Sequence, residues 1–322
     1  MLQVLSLVTP IFGLIALGFF SMRWGYLSEG SGRAVTELGF KVAMPALLFR
    51  AMLGVGEVAV SPLRLAVTYL VSVALVWALS AFAARVLLGR PPADRPVFGM
   101  AATFGNGVML GFPVIVSAFG PEAGTPLAIL AVCDRIILWL IGTLHMEVAL
   151  RDSRGLGVRA VVDVLRGVAR NPLIVALAAG ALCRWLGLTL EGLPPVPARL
   201  VELVAQAGVP VSLLGLGMSL AGYRIKGETS AMALIIGIKL VVMPAVGLIL
   251  ATWVFGLPPL WAGVITVFLA MPVGANAFLF ASRYDRAVAP VSASVALSTL
   301  LAVVTVTLAL LALQAQGDMG MP

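Results

Sequence analysis

The residues with the clearest chemistry are a few ionisable groups set inside long apolar stretches. Asp134 and Arg135 are adjacent near the middle of such a stretch, at residues 124–148. A guanidinium group at membrane depth is suited to bind a carboxylate with two parallel hydrogen bonds. Neighbouring helical residues point about 100 degrees apart, so these two should have different partners. We predict that Arg135 binds an anionic substrate and that Asp134 pairs with Lys239 or accepts a proton. A buried ion network without a ligand is the alternative.

Two other apolar stretches combine glycine, asparagine and proline, at residues 104–113 and 271–276. Glycine tolerates unwound backbone and proline removes a hydrogen-bond donor, so an uninterrupted helix is not expected in either. Freed peptide groups in lipid are costly unless they line a polar cavity or meet a ligand, and half-helix amino termini attract anions. Simple proline kinks at helix crossings are the alternative. The predicted substrate-binding residues in these stretches are Asn106, Gly107, Pro113, Pro272 and Asn276.

Glu37 and Lys41 form a further candidate pair within an apolar stretch. They are four residues apart, which places them on the same face of a helix and allows an ion pair. Together with Lys239 they are predicted to supply supporting ion pairs rather than direct substrate contacts. Glu37 lies early in its stretch, so a simple position at the membrane interface is the alternative.

The composition requires a lipid environment for these side chains. The 322 residues are 61% hydrophobic and 11% charged, which a soluble protein of this size could not bury in one core. Long continuous apolar runs favour helices over the short alternating segments of β-barrels. The net charge of +7 arises mainly from Lys and Arg between the apolar runs, so it reports membrane topology and not a nucleic-acid partner.

Catalytic and metal-binding patterns are not recognisable in the sequence. The single histidine, His145, and the two cysteines, Cys133 and Cys183, do not have metal-ligand spacing. No nucleophile, base and orienting group fall into a known constellation, and no P-loop signature occurs. We therefore expect neither an enzyme nor a bound metal or cofactor, and no direct use of ATP.

The apolar runs predict about ten transmembrane helices. Their approximate bounds are 5–22, 35–54, 63–88, 97–119, 124–148, 171–188, 197–221, 229–255, 259–281 and 287–314. Loops after odd-numbered spans carry most of the arginines, including clusters at residues 85–95 and 151–170, whereas loops after even-numbered spans carry isolated ones. Because cytoplasmic loops are enriched in Lys and Arg, both termini are predicted to lie outside the cytoplasm.

The two halves of the sequence echo each other. Pro10 and Gly18 in the first span recur with the same spacing as Pro172 and Gly180 in the sixth. Five spans per half invert the second copy in the membrane, an arrangement typical of carriers that alternate access to a midplane site. Chance matches among apolar residues are the alternative. The predicted organisation is a five-helix repeat at 1–150, a short basic connection at 151–170, and an inverted repeat at 171–322.

Several local motifs resemble the auxin efflux carrier family, including its bacterial members associated with malonate, malate and other organic acids. They are Gly105-Asn106-Gly107 leading to Gly111-Phe112-Pro113, the stretch Cys133 to Trp139 followed by Glu147, Met271-Pro272 with Asn276, and Ala296-Leu297-Ser298-Thr299-Leu300. The resemblance covers nearly the whole chain. It implies a bile-acid-transporter-like fold in which spans 4 and 9 cross at their prolines beside the substrate site.

Two departures from the plant members bear on the substrate. The plant carriers have a long central cytoplasmic loop, whereas residues 151–170 form only a short connection. Asp134 and Arg135 stand where neutral amide side chains are expected in the plant proteins. A small carboxylate that requires a cation therefore fits the sequence better than auxin does.

The sequence thus predicts an all-α secondary transporter for a small organic anion such as a mono- or dicarboxylate. We expect a multi-pass protein of a bacterial inner membrane, with protons as a possible coupling ion and a homodimer as a possible assembly. A sodium-coupled carrier of the bile-acid type and a membrane sensor that binds a ligand without moving it are the alternatives.

Overall fold

A computed structural model describes residues 2–54, 61–150, 166, 169–190, 192–223 and 227–315. These residues are almost entirely helical and contain no β-strand, as the continuous apolar runs predict. The α-helices are α1 (Leu2–Arg23), α2 (Glu29–Leu38), α3 (Met44–Leu53), α4 (Pro62–Leu88), α5 (Arg95–Thr103), α6 (Phe112–Phe119), α7 (Gly124–Leu150), α8 (Pro172–Trp185), α9 (Pro195–Leu220), α10 (Thr229–Gly237), α11 (Met243–Ile249), α12 (Pro259–Leu269), α13 (Ala275–Tyr284) and α14 (Val288–Ala315).

Six helical segments in the described ranges are long and apolar enough to cross a bilayer. They are Val4–Arg23, Pro62–Leu88, Gly124–Leu150, Pro195–Leu220, Thr229–Val254 and Val288–Ala315, which coincide with predicted spans 1, 3, 5, 7, 8 and 10. The segment Thr229–Val254 consists of α10 and α11 with π-helical turns at Ile238–Val242 and Leu250–Val254.

The other four predicted spans contain shorter helices. Span 2 consists of α2 and α3 joined by a π-helical turn at Gly39–Ala43, and it begins at Glu29, before the predicted residue 35. Span 6 corresponds to α8, whose 14 residues are fewer than the roughly 20 that a perpendicular crossing needs. Spans 4 and 9 are each divided into two helices, α5 with α6 and α12 with α13.

Helices from the two sequence halves pack directly against each other. The closest association is between α1 and α9, while α3 contacts both α8 and α9. Glycine permits this approach: a Cβ atom added to Gly217 would lie 2.0 Å from the carbonyl oxygen of Ile15. An ion pair of 3.2 Å between Arg50 and Glu202 also joins the halves.

The remaining helices form a second group around α4, α5 and α7. In that group α4 packs on α5 and α7, α11 packs on α12, and α10 packs on α14. The predicted connection at residues 151–170 lies almost entirely outside the described residues. The exposed indoles of Trp24, Trp185 and Trp253 are typical of side chains that anchor helices at a membrane interface.

Candidate functional site

The first helix interruption follows α5. Phe104 leaves the helix with φ −72° and ψ 109°, and Asn106 has φ −79° and ψ 50°, before a π-helical turn at Gly107–Gly111 leads into α6. Pro113 lies further on, within the continuous helical segment Gly107–Phe119 that the π-helical turn and α6 form together. The Gly-Asn-Gly sequence, and not the proline, is therefore where the helix ends.

The second interruption separates α12 from α13. The backbone of residues 271–274 is non-helical, and Gly274 has φ −83° and ψ 152° immediately before α13 begins at Ala275. Asn276 thus lies in the first turn of a new helix. The Ala277 amide donates to the Gly274 carbonyl at 3.0 Å, whereas the amides of Ala275 and Asn276 have no acceptor among the described residues and are available to a ligand or to water.

The two interrupted segments contact each other through their backbones. Gly105 and Val273 pair in an antiparallel manner. The Asn106 amide donates to the Pro272 carbonyl at 2.8 Å, and the Gly274 amide donates to the Phe104 carbonyl at 2.9 Å. Polar peptide groups freed from the helices are thereby satisfied inside the protein, as an apolar environment requires.

A side chain from α14 stabilises this contact. The Val273 amide donates to the hydroxyl oxygen of Ser298 at 3.0 Å, and both residues are buried. Gly274 permits the close approach, since an added Cβ would lie 2.8 Å from the Gly105 carbonyl oxygen and 2.9 Å from the Phe104 ring.

A cavity of about 190 Å³ lies beside the paired segments. It combines residues of both interruptions with the charged pair of α7 and two residues of the second span. Its lining consists of Thr36, Phe40, Phe104, Gly105, Asn106, Val108, Met109, Asp134, Arg135, Gly274, Ala275 and Asn276.

Arg135 supplies the positive charge of this cavity. Its guanidinium carbon lies 5.8 Å from the centre of the Phe104 ring, within the range of a cation–π interaction. Among the described residues no carboxylate forms an ion pair with Arg135. Nor do the described residues give the side-chain amides of Asn106 and Asn276 a hydrogen-bond partner, so all three groups can bind a ligand.

Asp134 has a different partner from the one that the sequence suggested. Its Oδ1 atom accepts a hydrogen bond of 2.6 Å from the buried hydroxyl group of Tyr69 on α4. Among the described residues, Asp134 and Lys239 interact electrostatically but do not form a direct ion pair. A direct Asp134–Lys239 ion pair is therefore not formed, because the Lys239 ammonium group donates instead to the Leu269 carbonyl at 2.8 Å. The alternative role of Asp134, accepting a proton, stays a prediction.

Three of the predicted binding residues do not line the cavity. Gly107 packs against Phe268, whose ring would lie 2.4 Å from an added Cβ. Pro113 is buried in α6, and Pro272 is buried and contributes its backbone carbonyl to the pairing of the two segments. These residues shape the site, whereas Asn106, Asp134, Arg135 and Asn276 are brought together around its cavity.

Glu37 and Lys41 lie in a second cavity. They form the predicted ion pair, and both side chains are more than half exposed. This open cavity of about 780 Å³ is also lined by Arg23 and Arg33, and it shares Thr36 and Phe40 with the smaller one.

Sequence reasoning did not identify Tyr69, Thr36 or Phe40. A signal existed for Tyr69, which is one of only four tyrosines and lies within an apolar span where its hydroxyl group needs a partner. Thr36 and Phe40 are ordinary span residues, and only the packing of α2 beside the interruptions places them at the cavity.

Comparison with known proteins agrees with a membrane carrier. The sequence model of the family described as "Membrane transport protein" matches residues 3–154 and 158–310. A Rhizobium meliloti (strain 1021) protein named "Putative malonate transporter" is 28% identical over 314 residues, covering 95% of this chain and 95% of the relative.

Two further relatives carry transporter names. "Uncharacterized transporter YfdV" of Escherichia coli (strain K12) is 26% identical over 93% of this chain and 94% of its own length. "Uncharacterized transporter MJ1031" of Methanocaldococcus jannaschii is 22% identical over 94% of this chain and 97% of its own length. The chain belongs to this membrane transport protein family, which is the auxin efflux carrier family that its sequence motifs resemble.

Proposed function

We propose that the protein is a secondary transporter that moves a small mono- or dicarboxylate, of the malonate or malate class, across the membrane by alternating access. The observation that carries this proposal is the cavity where Arg135, the start of α13 and two asparagine amides converge, the amides having no hydrogen-bond partner among the described residues. An arginine and a helix amino terminus are both suited to a carboxylate group. A dicarboxylate can engage both at once.

The size of the cavity supports a small substrate. At about 190 Å³ it is smaller than the roughly 300–1,000 Å³ typical of sites for drug-sized ligands. A three- or four-carbon diacid is compatible with this volume. The name of the Rhizobium meliloti relative includes malonate, which agrees with this substrate class.

The antiparallel pairing of Gly105 with Val273 supports the inverted five-plus-five organisation. Spans 4 and 9 would run in opposite directions if the halves at 1–150 and 171–322 were inverted copies, and their interruptions would then cross in this manner. In this arrangement the loops that follow odd-numbered spans are cytoplasmic and both termini are outside. The protein resides in a bacterial inner membrane.

The larger cavity supports access from one side. It is lined by Arg23 and Arg33, near the loop that follows the first span, and it borders the smaller cavity at Thr36 and Phe40, which line both. In the proposed cycle the described shape is the state open toward the loops that follow odd-numbered spans. Alternating access requires a second state in which this path is closed and the opposite one is open.

Uptake of labelled malonate and malate into proteoliposomes tests the proposal. We expect Arg135→Ala to abolish uptake while the purified protein remains folded, because the substrate loses its cationic partner. Arg283→Ala is the matched control: Arg283 also lies over an aromatic ring, at 5.9 Å from Tyr284, but outside the cavity. Wild-type uptake rates in Arg135→Ala would remove this residue from the substrate site.

The same assay separates the alternatives. A sodium-coupled carrier would lose uptake when potassium replaces sodium. Asp134 is the one carboxylate among the described cavity residues, which is few for a sodium site of several oxygen ligands. A sensor would bind malonate in a thermal-shift measurement without moving it. Proton coupling would make uptake respond to an imposed pH gradient, and crosslinking in membranes would reveal a homodimer.

A further inference from the structure

Lys239 is a fully buried lysine in the middle of a membrane segment. None of its surface is exposed, and its ammonium group donates to the Leu269 carbonyl at 2.8 Å. Leu269 is the last residue of α12, so this carbonyl belongs to the end of a half-helix that carries partial negative charge. A buried charge costs several kcal/mol unless its partners compensate, so the position requires an explanation.

The ammonium group lies between the two interrupted segments. A Cβ added to Gly105 would be 3.2 Å from the Lys239 nitrogen, which places the group against the first interruption while it binds the end of α12. The carboxyl group of Asp134 interacts with it electrostatically from α7. Lys239 itself is part of the π-helical turn Ile238–Val242, a local distortion often found at functional sites.

These surroundings are those of a coupling-ion site. In carriers with broken helices, the carbonyl ends of half-helices and nearby unwound backbone coordinate the coupling cation. We propose that the Lys239 ammonium group is a built-in cation that occupies the place of such an ion, so that the carrier works without sodium. This inference rests on the proposed transport function and concerns its coupling: a cation that belongs to the protein takes the position where another carrier would bind and release a sodium ion.

A purely structural role predicts a different response to substitution. If Lys239 only filled space, a methionine of similar length would replace it without loss of stability or uptake, and it would remove the desolvation penalty of a buried charge. If the charge is required, methionine fails although it fits. Alanine leaves a space in which a small amine can bind.

The experiment compares Lys239→Ala, Lys239→Met and wild-type protein. Melting temperature and malonate uptake are measured in methylammonium, sodium and choline chloride at equal ionic strength. We expect wild-type uptake to be the same in sodium and choline, and both variants to lose at least about tenfold of it. Methylammonium should raise the melting temperature of Lys239→Ala saturably and restore part of its uptake, with no such effect on Lys239→Met.

Wild-type uptake that depends on sodium would overturn the inference without any variant. Full uptake by Lys239→Met, or equal stabilisation of both variants by methylammonium, would also overturn it. The inference and the transport function can fail separately. A wild-type protein that moves no carboxylate would defeat the transport proposal, whereas amine-dependent stabilisation of Lys239→Ala would still support the cation position.

Discussion

Gly274→Ala is expected to disrupt the substrate site by separating the two interrupted segments. The backbone angles of Gly274 are ordinary for any residue, so the effect comes from space alone. An added Cβ would lie 2.8 Å from the Gly105 carbonyl oxygen and 2.9 Å from a ring carbon of Phe104. Neither neighbour can yield easily, because one is backbone and the other is buried.

The magnitude follows from these distances. Ordinary contact between carbon atoms is roughly 3.5–4.0 Å, so the segments must separate by roughly 0.5–1 Å. The hydrogen bonds of 2.8 and 2.9 Å that join them would then exceed the usual limit of about 3.2 Å. Overpacking of this kind costs about 1–3 kcal/mol. A shift of 1 Å in a positioned site can reduce function about 100-fold.

Melting temperature in detergent and malonate uptake in proteoliposomes measure the two consequences. The matched control is Gly13→Ala in α1, where an added Cβ meets no atom within 4 Å. We expect the control to retain uptake and stability, and Gly274→Ala to lose most uptake with a lower melting temperature. If Gly274→Ala matches the control in both measurements, the contact between the segments is not tight in the membrane and the reasoning fails.

Three further predictions concern packing, the buried carboxyl group and topology. Gly18→Ala should lower the melting temperature by the equivalent of about 1–3 kcal/mol, because the new Cβ would lie 2.2 Å from a backbone oxygen of α9, whereas Gly13→Ala should not. Tyr69→Phe should cost about 1–3 kcal/mol by leaving buried Asp134 without its donor, whereas Tyr26→Phe at an exposed position should have little effect on the melting temperature. An alkaline phosphatase fusion at the carboxyl terminus should be active, and an inactive fusion would contradict the outward orientation of that end.

Local features of the chain were predictable from the sequence because local chemistry decides them. Apolar length located the helices, and the Gly-Asn-Gly stretch located an interruption, since each depends on residues adjacent in sequence. The Glu37–Lys41 ion pair was predictable for the same reason, as helical geometry alone brings these residues together. The same stretch contains Pro113, but α5 ends earlier, at Thr103, because the backbone leaves the helical conformation at Phe104, directly before the Gly-Asn-Gly sequence.

The partners of buried groups depended on tertiary structure. Tyr69 and Asp134 are 65 residues apart in sequence, and opposite charge had suggested Lys239 as the partner of the carboxyl group. The ammonium group instead binds a carbonyl that becomes available only because α12 ends at Leu269. A helix end inside the protein offers an acceptor that no pattern of side-chain charge reveals.

The sequence by itself determined that the chain is a helical membrane protein with two interrupted helices and an arginine inside an apolar span, because helices are the way in which such long apolar runs satisfy their peptide groups in lipid. Only the tertiary structure decided that the two interrupted segments pair in an antiparallel manner and that Arg135 is left without a carboxylate partner among the described residues. It also decided that the Lys239 ammonium group lies between the end of α12 and Gly105. The physical reason is that unsatisfied peptide groups must be paired within the protein, and the packing of helices distant in sequence selects which groups meet.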